Sequence, residues 1–105
     1  MRRIVYDARA LDDIDEIVDW LEDKDPAVAA RFIDAAFATA EWLADVPLRA
    51  AKMETPGVPV HWRRFPVRDF EAYALIHVTS EDVLEVVRVV HGTRDLPAAL
   101  AEPDA

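Results

Sequence analysis

Five arginines and three histidines carry the chemistry this chain can offer. Arg63, Arg64, Arg68, Arg88 and Arg94 can supply cations, and His61, His77 and His91 can exchange protons near neutral pH. Converging guanidinium groups would hold an anion, and a histidine beside them would act as base or acid. The stretch RVVHGTRDL, Arg88 to Leu96, poses the question most sharply. As a strand, it points Arg88 and Val90 one way and Val89 and His91 the other. Read as a site, His91 titrates and Arg94 binds an anion. Read as structure, Gly92 takes a positive φ, Thr93 and Asp95 bond local amides, and Arg94 pairs with an acid. The structural reading is favoured, because a polar strand end can hold itself this way without a substrate. Alternation also puts Arg63 and Arg64 on opposite sides, so one site cannot use both. The catalytic candidates are Arg63, Arg88, His91 and Arg94, set against a plain solvated sheet rim with arginines pairing acids.

The elements that must position these residues follow from periodicity. Arg3-Ile4-Val5-Tyr6 reads as a short strand, and Asp7 can cap the helix after it. Leu11, Ile14, Ile17, Val18 and Leu21 form one apolar stripe, with Asp12, Asp13, Asp15, Glu16, Asp19 and Glu22 on the solvated faces. Asp25 as cap and Pro26 at the first helical position restart the chain as a second helix to about Asp45. Its stripe is Ala29, Phe32, Ala36, Ala40 and Leu43, widened by Ile33, Phe37 and Ala44. Residues 48–59 hold Pro56, Gly57 and Pro59 and read as the long loop. Strands are predicted at His61–Phe65, Phe70–Val78 and Val83–His91, the last apolar on both faces as a central strand should be. The order strand-helix-helix-strand-strand-strand predicts a two-layer α+β domain over residues 1–97, with the helical hairpin packed on an antiparallel sheet. Residues 98–105 form a short Ala/Pro/acid-rich tail.

Composition narrows the function classes. With 105 residues the chain is one domain, and a hydrophobic fraction of 52% supports a packed core. There is no cysteine, which excludes disulfides and thiolate chemistry. No apolar run reaches the roughly 20 residues of a membrane span, and MRRIVYDARALDD is no secretory signal, so a cytoplasmic location is expected. The net charge of -9 argues against direct nucleic-acid binding. The acids concentrate in the helical half, whereas residues 49–68 carry Arg49, Lys52, Arg63, Arg64 and Arg68 against Glu54 alone. That local basic patch could receive an acidic partner. No metal site and no cofactor are expected.

From Tyr6 to Leu96 the chain resembles the RelE/ParE toxins of type II toxin–antitoxin modules, the plasmid stabilisation proteins. The resemblance rests on Ala10-Leu11-Asp12-Asp13-Ile14, the run from Asp25 to Phe32, Leu43 to Pro47, Arg64-Phe65-Pro66-Val67 and Val86 to Leu96, in that order and spacing. It implies the same six-element order and an antitoxin whose C-terminal arm wraps the toxin. RelE-like members cleave messenger RNA on the ribosome; ParE-like members are known mainly for poisoning DNA gyrase. Four departures point away from RNA cleavage. Leu48-Arg49-Ala50 replaces a glycine usual after the second helix, and Ile76-His77 stands where Tyr-Arg is common. No aromatic follows Phe70 except Tyr73, so a tyrosine of the nuclease branch is missing, and the chain is acidic where the family is commonly basic.

The resemblance therefore implies a ParE-like toxin that inhibits growth by binding a protein, DNA gyrase, and is neutralised by a ParD-like antitoxin. The alternatives are a RelE-like endoribonuclease and a degenerate member that binds only antitoxin. Trp20 and Trp42 are candidate anchors for a partner, since aromatics favour interface centres, with a wet core margin as the plain alternative. Arg49, Lys52, Arg64 and Arg68 complete the candidate binding set.

Overall fold

The computed structural model describes residues 2–45, 51–52 (backbone only), 59 and 61–92. The elements are β1 Arg3–Tyr6, α1 Ala8–Lys24, α2 Pro26–Asp45, β2 Ala51–Lys52, β3 Arg63–Val67, β4 Phe70–Thr79 and β5 Val83–His91. Apart from β2 and Pro59, the expected loop 48–59 lies outside the described residues, as do Thr93–Asp95 and the tail.

Caps explain the helical hairpin. Asp7 Oδ1 accepts the Arg9 N–H at 2.8 Å and starts α1. Asp25 alone separates the helices. Its N–H donates to Leu21 O at 2.7 Å, closing α1, while its Oδ1 accepts the Ala27 N–H at 3.0 Å, opening α2. Pro26 sits where a missing N–H costs nothing.

The sheet order is β1-β5-β4-β3-β2. The expected antiparallel meander holds from β3 to β5. β1 differs: it pairs parallel with β5, Arg3 opposite Val83 and Tyr6 opposite Val86, so the sheet is mixed. A parallel neighbour requires a long crossover, which the helices and the meander together provide. The third strand runs 63–67 rather than 61–65. Trp62 N–H bonds Pro59 O at 3.1 Å and holds the earlier residues in a turn. Pro66, which cannot donate to the ladder, sits at a register shift next to Val67.

The helices cover one face of the sheet. Ile14, Leu21, Phe32, Leu43, Val67, Leu75, Leu84, Val86 and Val89 are buried there. Phe32 meets Phe70 and Tyr73 edge-on at 5.4 and 5.2 Å, and Tyr6 meets Phe37 at 5.1 Å. Each such side chain contributes about 1.5–3 kcal/mol when fully buried. The predicted α2 stripe is buried as expected, with Thr39 added. Thr39 Oγ1 donates to Ala35 O at 2.7 Å and accepts the Arg68 N–H at 3.2 Å, tying the β3–β4 turn to the helix. In α1 the stripe is rotated: Ala10 is buried and Leu11 is 43% exposed. The opposite sheet face carries a smaller cluster of Ile76, Val87 and Val90 with Trp62 and Val78.

A bulge divides β5. Ile76 faces Arg88 while His77 faces Val86, so Val87 is an extra residue. Leu84 and Val86 face the helices before it, and Val89 after it. From Arg88 to His91 the register against Ile76, Leu75, Ala74 and Tyr73 is unbroken, so the alternation expected there holds, with the Arg88 guanidinium reaching Asp13 of α1.

Candidate functional site

Where β1 ends at Tyr6, β5 continues for five residues without it. A groove of about 340 Å³ opens beside this stretch. Asp13, Glu16, Ile17 and Trp20 of α1 form one wall; Tyr73 of β4 and Val89 and His91 of β5 form the other. His91 packs edge-on against Tyr73, with centroids 5.1 Å apart. Burial raises the Tyr73 phenol above its ordinary pKa. Trp20 is 56% exposed, and Lys24 Nζ stands 4.8 Å above its ring.

Asp13, in the α1 wall of the groove, belongs to a buried ion pair. Arg88 Nε and Nη2 donate to Asp13 Oδ2 and Oδ1 at 2.7 and 3.0 Å. The Val89 N–H donates to the same Oδ2 at 2.9 Å. Asp13 thus neutralises a buried guanidinium and covers a main-chain donor where β5 has lost its β1 neighbour. The sequence reading puts Asp13 among the solvated acids; the structure buries it at 8% exposure. The signal was available. Asp13 flanks the apolar stripe of α1 at helical spacing, and Arg88 is the lone cation in an apolar strand.

The sheet cations do not converge. On β3, Arg63 lies in register with His77 of β4 and Arg64 with Ile76, on opposite faces as alternation requires. Arg64 Nη2 comes within 2.9 Å of the position a Cβ on Gly92 would occupy, and Ala72 O within 3.2 Å. This explains Gly92. Its φ lies outside the left-handed region, contrary to the expectation of a positive φ; the position instead needs room for the guanidinium and the Ala72 carbonyl. Among the described residues, the one with positive φ is Asp69 in the β3–β4 turn, at 70°. Arg88 is committed to Asp13, and His91 to a ring contact at the groove edge. Arg68 is exposed at the turn. Trp42 is half-buried against Phe65 at 5.2 Å. Arg49, Arg94 and the Lys52 side chain lie outside the described residues.

His77 is the other buried polar residue of note. It is fully buried, and among the described residues neither ring nitrogen has a hydrogen-bond partner. Burial lowers its pKa to about 4; the nearby Leu75 backbone opposes this and the Arg63 charge adds to it. A neutral imidazole so enclosed serves packing. Among the described residues, no three His, Asp or Glu side chains gather as a metal would require. No helix there is long and apolar enough to cross a membrane.

Comparison with known proteins agrees with this architecture. A solved structure described as the chromosomal ParDE TA system from P. aeruginosa matches with a TM-score of 0.70 and 17% identity, over 87% of this chain and 96% of that one. At that identity the likeness concerns the fold. A comparison with curated proteins gave no match. The family model described as "ParE toxin of type II toxin-antitoxin system, parDE" matches residues 4–96, from β1 past the end of β5. A match over nearly the whole chain, on this fold, makes the chain a member of the ParE toxin family of type II toxin–antitoxin systems.

Proposed function

We propose that this ParE-family toxin acts by binding a protein target rather than by cutting RNA, and that a cognate antitoxin neutralises it. One observation carries this reading. Arg88, the most buried of the sheet arginines, is charge-compensated by Asp13, and Arg63 and Arg64 point to opposite faces. Phosphodiester cleavage needs cations and a proton acceptor aimed at one scissile group. The acidic net charge also disfavours approach to a phosphate backbone. DNA gyrase is the target that the family resemblance implies, and a ParD-like protein the antitoxin.

Purified toxin is tested in two assays. In a gyrase supercoiling reaction it traps cleaved gyrase–DNA complexes. In a reconstituted translation reaction it leaves messages intact. Codon-specific cuts in the translated messages would overturn the binding reading.

A further inference from the structure

We propose that the groove between α1 and the ends of β4 and β5 docks a basic amphipathic helix of a partner protein. Trp20, Ile17, Tyr73 and Val89 give it an apolar lining, and Trp20 is the most exposed large apolar side chain among the described residues. A single exposed apolar residue is ordinary. One placed on the rim of a groove beside other apolar walls is where binding energy concentrates.

Charge fixes the chemistry of the occupant. Asp12, Glu16, Asp19 and Asp23 follow one another at spacings of four, three and four, so they form one stripe along α1 beside Trp20. All four are exposed, and none is in an ion pair among the described residues. The stripe extends about 16 Å at the rise of an α-helix. Asp13 adds no net charge because Arg88 cancels it. A helix laid along this face meets four carboxylates over some three turns against the one ammonium of Lys24 above Trp20, and lysines or arginines complement that excess. Its apolar side chains enter between Trp20 and Tyr73.

The backbone argues for a helix over an added strand. Strand addition at the open part of β5 would use the Val89 N–H, and the Asp13 carboxylate already occupies it. This inference deepens the antitoxin reading and rests on it only for the partner's identity. An antitoxin arm seated here carries cations, the reverse of the acidic arm suggested by the basic patch of residues 49–68.

The test uses the full chain and two fluorescent helical peptides, alike in their leucine face but carrying either lysine or glutamate elsewhere. The lysine peptide binds, and binding weakens as salt is added. Trp20→Ala weakens it at least about tenfold. A variant with D12N, E16Q, D19N and D23N loses most of the affinity. A control with D34N, D45N, E81Q and D82N, equal in charge change on other exposed positions, keeps it. Preference for the glutamate peptide, absence of binding, insensitivity to Trp20→Ala, or equal loss in the two charge variants each overturns the proposal. Growth arrest on induction is scored separately. A toxic chain that fails the peptide test loses the groove assignment and keeps its toxin role; a non-toxic chain that passes does the reverse.

Discussion

Asp13 and Arg88, 75 residues apart in the chain, form a two-point ion pair at the junction of α1 and β5. The pair joins the helical layer to β5 and closes the strand edge that β1 leaves open. Removing one partner strands a charge in a buried place. Asp13→Ala is expected to destabilise the fold by about 3–5 kcal/mol. Replacing both, as Asp13→Leu with Arg88→Met, is expected to recover most of that loss. Urea unfolding of the three chains decides it; a double variant as unstable as the single one would refute a charge-pairing role.

Gly92 and Arg64 make a second coupled pair. Gly92→Ala pushes a methyl against the Arg64 guanidinium and the Ala72 carbonyl. The expected cost is about 1–2 kcal/mol, and part of it should vanish in an Arg64→Ala background. A double-mutant cycle measures that part directly. Strict additivity would mean that the carbonyl alone excludes the methyl.

His77 makes stability depend on pH. Its folded pKa, about 4, lies below the ordinary value of 6.5. Between those values the unfolded chain binds the proton and the folded one does not, so stability falls as pH drops from 6.5 to 4. Above 6.5 this residue contributes no slope. The loss reaches about 3 kcal/mol at the bottom of the window. His77→Phe should remove it. Unfolding midpoints taken across that range would show the same slope in both chains if another group were responsible.

Thr39→Val keeps the shape of the side chain and deletes the acceptor of the Arg68 N–H. The β3–β4 turn then holds an unsatisfied donor, at a cost of about 1–2 kcal/mol. Amide exchange at Arg68 should accelerate in the variant. Unchanged exchange there would show that the hydroxyl does not hold the turn.

Regular spacing made most of the fold readable. The α2 stripe, the Asp25-Pro26 restart and the doubly apolar β5 each follow from local rules, and each stands in the structure. What escaped depended on contacts between distant residues. The Val87 bulge shifts the phase of β5, and no residue type announces it. The burial of Asp13 needed its pairing with Arg88, although an acid beside an apolar stripe was a visible hint. Local rules mark Gly92 through its φ, whereas the constraint on it comes from Arg64 on another strand and the Ala72 carbonyl. The groove is a product of β1 ending early and α1 crossing over β5, and neither can be inferred from periodicity.

The parallel pairing of β1 with β5 carries a consequence for how the molecule comes into being. Arg3 waits for Val83, and Tyr6 for Val86. The helical hairpin can form from contacts close in sequence, but this pairing must close a loop of about 80 residues. A growing polypeptide therefore holds helices long before it holds a finished sheet. The groove, the Arg88 anchor and the edge that Asp13 seals all require β5, so they arise together once that strand has been made. A ribosome that stalls before Val83 releases a fragment with an acidic helical pair and none of the surfaces built on the last strand.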